Sequence, residues 1–274
     1  MSVWINGRRS RTLSYRDRGL QYGDGVFETM KVRRRGIRLL DLHLDRLLRS
    51  CRRLKIQAPQ PLLLRRELER IAAGRKEGVL KLMVTRGSGP RGYRPSGRER
   101  ATRIVTLEAL PPAISAEAAK AVRLRVCTTR LSTSPSLAGL KTLNRLDSVL
   151  ARSEWTDARI WEGLMRDVDG NWVCGTMSNL FLRRRNVLMT PLLDRCGVAG
   201  VMRRWILENA ANLGLRAVER RIRWEDLQSA EEVFMSNAVV GIRSVRTIEC
   251  THFGKLRFEC WDTAAQLRSL LDRQ

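Results

Sequence analysis

Leu137-Ala138-Gly139-Leu140-Lys141-Thr142-Leu143-Asn144-Arg145-Leu146 sets a lysine among leucines in a chain that otherwise carries its positive charge almost entirely as arginine. Of 52 basic residues, only Lys31, Lys55, Lys76, Lys81, Lys120, Lys141 and Lys255 are lysine. A guanidinium keeps its proton at any accessible pH. An amine that is desolvated or set beside other cations can lose its proton and become a nucleophile. Lys141, flanked by Leu140, Leu143 and Arg145, is the candidate for that chemistry, against the plainer reading of a solvated lysine at the mouth of a helix.

Upstream of this stretch the chain reads as a sheet with helices. Val3 to Ile5 is a strand running into an Asn6-Gly7 hairpin turn, the residue pair that tolerates two positive φ angles. Tyr22 to Gly25 reads as a loop, Val26 to Val32 as a strand, and Ile37 to Leu40 as its return after the Arg33-Arg34-Arg35-Gly36 turn. Asp41 is placed to cap a helix whose apolar face is Leu44, Leu47, Leu48, Cys51 and Leu54. A second helix is expected over Pro61 to Ala73. Strands follow at Val79 to Thr85 and Thr102 to Leu107, joined by the glycine-rich loop Gly87 to Tyr93.

Pro111-Pro112 and the Ala-rich stretch to Ala121 mark a domain boundary, because two prolines suit a stiff connector and no central strand. The expected organisation is therefore a smaller domain over 1–110, a linker over 111–121 and a larger domain over 122–274. In the second part, strands at Val122 to Thr128, Gly163 to Arg166, Trp172 to Cys174, Asn179 to Leu182, Val187 to Thr190 and Glu232 to Met235 alternate with helices at Asp147 to Arg159 and Val201 to Leu213. Mixed elements in two halves indicate an α/β (α+β) architecture. No internal repeat is present.

A formal charge of +24 raises nucleic acid or an anionic membrane as partners, since a positive surface attracts polyanions without specific contacts. The arginines are spread along the chain, however, and their two short runs sit beside Gly36 and Asn186 as in exposed turns. With aromatics at 5% and no recognisable nucleic-acid-binding motif, nucleic acid is not the expected partner. Six cysteines without a C-x-x-C pair give no zinc site. No stretch approaches the roughly 20 apolar residues of a membrane span, and the N-terminus has no apolar signal core, so the expectation is a reduced, cytoplasmic protein with no metal and no membrane partner.

Four separated segments carry a resemblance: Tyr22-Gly23-Asp24-Gly25-Val26-Phe27-Glu28-Thr29, Leu140 to Leu146, Gly175-Thr176-Met177-Ser178-Asn179-Leu180-Phe181, and Gly200-Val201-Met202-Arg203. In order and spacing they resemble the class IV aminotransferase family of pyridoxal-phosphate enzymes over nearly the whole chain. The resemblance implies fold type IV, a two-domain D-amino-acid aminotransferase-like fold with pyridoxal 5'-phosphate between the domains, and a homodimer. Arg86-Gly87-Ser88-Gly89 with Arg91-Gly92-Tyr93 and the Lys141 segment is most similar to the branch that eliminates pyruvate from aminodeoxychorismate to give 4-aminobenzoate. A branched-chain or D-amino-acid aminotransferase is the alternative, and a basic nucleic-acid-binding relative without catalysis is a third.

The same resemblance assigns roles. Lys141 attaches the cofactor and serves as acid and base. Arg46, the backbone amides of Val201 and Met202, and Asn237 hold its phosphate. Tyr22, Thr29, Arg91, Tyr93 and Arg145 line the substrate pocket, where a dicarboxylate needs cations and hydroxyls. In the family a glutamate five positions before the asparagine of the Ser-Asn-Leu-Phe segment pairs with the cofactor's ring nitrogen. Here that position is Cys174, and a thiol cannot hold a pyridinium proton as a carboxylate would. Either elimination, which aromatisation drives, tolerates the weaker electron sink, or another acid reaches the site.

Overall fold

The computed structural model describes residues 2–111, 120–251 and 254–273. The chain divides into two compact units: Met1–Pro112 with Leu140–Asn144, and Ala113–Gly139 with Arg145–Gln274. Leu140–Asn144 thus packs with the first unit, although in sequence it lies beyond the linker and inside the expected second domain. Most of that linker, 112–119, lies outside the described residues.

The first unit is a six-stranded antiparallel sheet in the order β2-β1-β6-β5-β3-β4. Its strands are β1 (Ser2–Ile5), β2 (Arg8–Arg9), β3 (Gly25–Arg33), β4 (Gly36–Ile37), β5 (Glu77–Thr85) and β6 (Thr102–Glu108). The Asn6-Gly7 turn forms with φ of 50° and 85°. From Val26 onward strand β3 alternates, with Val26, Met30 and Val32 buried on the face covered by helices α2 (Leu40–Arg53) and α3 (Pro61–Ala72). Leu44, Leu47 and Cys51 of α2 and Leu64, Leu68 and Ile71 of α3 complete that core. Truncating one of these to alanine costs on the order of 2–5 kcal/mol.

Asp41 does not cap α2. The N-cap is Leu39, in the left-handed region at φ 54°, with no side-chain cap. Ile37 ends β4, so the chain turns into the helix sooner than the apolar run Ile37 to Leu40 suggests. Asp41 instead sits in the first turn, where a negative charge complements the helix dipole, and pairs with Arg65.

The second unit is a nine-stranded mixed sheet. Its strands are β7 (Val122–Val126), β8 (Glu162–Arg166), β9 (Trp172–Gly175), β10 (Asn179–Arg184), β11 (Val187–Pro191), β12 (Arg216–Arg220), β13 (Glu232–Asn237), β14 (Gly241–Cys250) and β15 (Gly254–Arg257). β9 pairs with both β8 and β10, so the path β10-β13-β14-β7-β8-β9 closes on itself. Of the Arg183–Arg185 run, Arg183 and Arg184 end β10 and only Arg185, at φ 52°, enters the β10–β11 turn with Asn186.

The helix expected over Asp147 to Arg159 is shorter: α4 covers Leu146–Arg152. Ser153 turns its hydroxyl back onto the Val149 carbonyl, Trp155 folds into the core with its indole N–H on the Ile160 carbonyl, and Asp157 accepts the Arg159 N–H. Such local side-chain bonds offer the backbone an alternative to the helix. α5 (Val201–Asn209) continues as a 3₁₀ turn, Ala210–Leu213, closed by Gly214 at φ 70°. Two further helices among the described residues of this unit are α6 (Trp224–Gln228) and α7 (Asp262–Asp272). No helix among the described residues is long and apolar enough to cross a membrane.

Candidate active site

In the first unit, Lys141 is fixed by sheet-like pairing. The Phe27 N–H donates to the Lys141 carbonyl at 2.9 Å and the Leu143 N–H to the Gly25 carbonyl at 3.0 Å, so Lys141–Leu143 lies against the start of β3. Asn144 donates from Nδ2 to the Gly23 carbonyl. The Lys141 ammonium then sits 4.2 Å from the centroid of the Phe27 ring. On the same half-buried face, Lys81 of β5 lies directly opposite Thr29 and approaches the same ring to 5.3 Å.

Glu28 points the other way, into the helix-covered face. Its carboxylate accepts Arg46 Nε at 2.8 Å and Nη2 at 2.5 Å, and lies 2.5 Å from His43 Nδ1. Burial opposes this charge, yet Arg46 and His43 outweigh it and hold the carboxyl down at about 2. Burial, with Arg46 and Lys141 adding, pushes His43 below its ordinary value despite Glu28. His43 is therefore neutral and donates from Nδ1, leaving Nε2 as a buried acceptor without a hydrogen bond. Arg46, expected on a phosphate, is buried as that role needs, but spends two nitrogens on Glu28.

The loop after β5 carries Arg91 and Tyr93. The Tyr93 ring meets Tyr22 edge-on at 5.5 Å, while Arg91 is exposed. Tyr22, itself the last residue of a short helix, α1 (Arg18–Tyr22), uses its hydroxyl to accept the Gly92 N–H.

In the second unit, Cys174 stands directly opposite both Asn179 of β10 and Met165 of β8. It is buried, and burial, with Cys196 and Glu162 adding to it, pushes the thiol far up, against the pull of Arg145. Burial pulls the Arg145 guanidinium down. Cys174 is thus a neutral thiol in electrostatic reach of Arg145.

A carboxylate near Cys174, that of Glu162, is engaged elsewhere. Glu162, wholly buried, accepts the N–H groups of Gly163, Thr176 and Met177 and the hydroxyls of Thr176, at 2.5 Å, and Ser178, at 2.8 Å. Four of these donors tie it to the 175–178 turn. Helix α5 begins at Gly200 with no side-chain cap, and both Val201 and Met202 are buried. Uncapped first-turn amides at a buried helix end fit an anion. Asn237 accepts the Val239 and Val240 N–H groups with its oxygen and so shapes the turn after β13.

Within the first unit a primary amine is held against a ring, and within the second an uncapped helix start presents its amides to an anion. The thiol at 174 does not fit as holder of a ring-nitrogen proton. Sequence reading missed Phe27, Glu28, His43, Lys81 and Glu162. The signal for Glu28 was available: an acid on the apolar phase of an alternating strand needs a buried partner.

A family model, amino-transferase class IV, matches residues 25–248. The chain is 33% identical to aminodeoxychorismate lyase of Vibrio harveyi over 89% of its length and 90% of that protein's. It is 30% identical to a putative branched-chain-amino-acid aminotransferase of Methanocaldococcus jannaschii, over 91% and 88% respectively. The crystal structure of 4-amino-4-deoxychorismate lyase from Pseudomonas aeruginosa superimposes with a TM-score of 0.92 at 43% identity, covering 99% of this chain and 98% of that one.

Proposed function

This chain belongs to the class IV aminotransferases, which are pyridoxal-phosphate enzymes, and on that premise we propose that it is a 4-amino-4-deoxychorismate lyase releasing pyruvate and 4-aminobenzoate. The observation that carries the choice over transamination of apolar amino acids is the second ammonium beside Lys141. Lys81 and Lys141 share the Phe27 ring. A branched aliphatic side chain gains nothing from a cation there, whereas a dicarboxylate needs one. The named lyase relatives agree with this reading.

When bound, pyridoxal phosphate supplies the electron sink that acidifies the carbon bearing the substrate amine. Lys141 Nζ would attach the cofactor and, as a free amine, would take the proton from that carbon and return one to the oxygen of the departing enolpyruvyl group, acting as base and then acid. Val201 and Met202 hold the phosphate through their N–H groups; Arg46 assists from the Glu28 pair, and Asn237 by ordering its turn. Thr29, Tyr22, Tyr93, Arg91, Lys81 and Arg145 orient the substrate, the cations on its carboxylates. Cys174 leaves the ring nitrogen without a carboxylate, a loss that an elimination driven by aromatisation tolerates. The enzyme works in the cytoplasm as a homodimer.

The test is product analysis with Lys81→Met as control. Wild type yields pyruvate and 4-aminobenzoate in equal amounts, and the variant's KM for aminodeoxychorismate rises about tenfold, the loss of one charge-assisted contact. Neither product from wild type refutes the reading.

A further inference from the structure

We propose that Arg18 is a positioning residue that sets the substrate loop carrying Arg91 and Tyr93, an inference that rests on the lyase reading for what the loop recognises. The loop 86–101 joins β5 to β6 without a helix or strand of its own, and loops of that length in a compact unit generally carry function. Its backbone needs anchors. Arg18, 3% exposed, supplies two, donating from Nη1 to the Gly92 carbonyl at 2.8 Å and from Nη2 to the Tyr93 carbonyl at 2.7 Å. Its remaining nitrogen, Nε, is on Asp24 at 2.9 Å.

This node is built to hold a direction. Asp24 also receives Arg86 Nε and Nη2, and Arg86 donates further to the carbonyls of Leu54 and Lys55. Asp24 immediately precedes β3, the strand that carries Phe27 and Thr29. The Arg18 guanidinium lies 4.9 Å from the centroid of the Tyr22 ring, whose hydroxyl takes the Gly92 N–H and whose edge meets Tyr93. The Arg18 N–H donates to the Gly87 carbonyl at the other end of the same segment. A planar fork on two successive carbonyls fixes where the Arg91 and Tyr93 side chains leave the backbone. An ammonium in its place satisfies Asp24 but cannot reproduce the fork.

The experiment compares wild type with Arg18→Lys and Arg18→Gln by amide hydrogen exchange of Gly89–Tyr93 without substrate, and by steady-state kinetics on aminodeoxychorismate. Exchange in the loop is expected to rise about tenfold or more in both variants, and KM about tenfold with kcat held within about twofold, as for lost positioning of a binding group. Arg18→Lys should fail to rescue either readout, which separates the fork from simple neutralisation of Asp24. Unchanged exchange in both variants overturns the proposal. So does faster exchange with unchanged KM, or a rescue by lysine. Should an Arg18 variant not fold, Tyr22→Phe removes only the hydroxyl acceptor and must speed exchange at Gly92. If wild type itself releases no pyruvate, the lyase reading fails, and the exchange arm still decides whether Arg18 holds the loop.

Discussion

The main-chain N–H of Phe27 donates to the Lys141 carbonyl, and the Lys141 ammonium returns to within 4.2 Å of the Phe27 ring centroid. One residue therefore fixes both ends of this lysine: its backbone by a ladder bond, its amine by an aromatic face. A cation over a ring is worth about 0.5–2 kcal/mol depending on its exposure.

Lys141→Ala is expected to abolish borohydride-reducible attachment of the cofactor and all pyruvate release, with the far-ultraviolet dichroism unchanged. Phe27→Leu should keep attachment but lower kcat/KM about five- to tenfold, the scale of about 1 kcal/mol of lost orientation. A reducible adduct surviving in Lys141→Ala would remove Lys141 from its role.

The Glu28–His43–Arg46 cluster gives the first unit an acid limit. The folded-state value of Glu28 is depressed to about 2, so its stabilisation is complete above the ordinary glutamate value and is lost as pH falls towards 2. His43 is likewise depressed, and a buried neutral imidazole loses ground once the unfolded chain takes up its proton, below about 6.5. The melting temperature should therefore decline below about pH 6.5 and fall further below about 4.5. Glu28→Ala leaves Arg46 buried without its carboxylate and should cost about 3–5 kcal/mol in urea unfolding. A variant within 1 kcal/mol of wild type would show the cluster to be dispensable.

Much of this was legible in the chain itself. Alternation over Val26 to Val32 and the apolar stripe from Leu44 to Cys51 gave strand and helix because burial on one face imposes periods of two and 3.6. The lysine at 141 and the Gly200-Val201-Met202 helix start were readable as a candidate amine and a candidate anion site. What was hidden is non-local. Glu28 meets His43 and Arg46 only after β3 and α2 pack, and Lys81 reaches Phe27 only through the β3–β5 register. The shortening of α4 depends on Trp155 finding the core. Arg216–Arg220, exposed on an edge strand, has almost no apolar alternation to read.

Glu162 holds the 175–178 turn through four donors and accepts a fifth from Gly163. Glu162→Gln keeps one acceptor oxygen but places an NH₂ against donors, leaving buried groups unpaired at a cost of about 1–3 kcal/mol each. Weaker cofactor binding with Lys141 attachment still detectable by mass is the expected result. Affinity equal to wild type would confine Glu162 to folding.

Cys174→Glu returns a carboxylate to the position opposite Asn179. An acid paired with the ring nitrogen favours its protonated form by about 1–3 pKa units, so the transamination side reaction should increase in this variant while pyruvate release persists. No change in the ratio of the two reactions would show that the residue at 174 does not set the reaction's course.

The most direct test of the whole account is the partition of purified wild-type protein, loaded with pyridoxal phosphate, between two assays run side by side: pyruvate release from aminodeoxychorismate, and amino transfer from D-alanine or leucine to 2-oxoglutarate. Pyruvate release is expected to exceed amino transfer by at least about a hundredfold, a difference of about 2.7 kcal/mol in barrier. Efficient amino transfer with little or no pyruvate would contradict it and make the chain an aminotransferase.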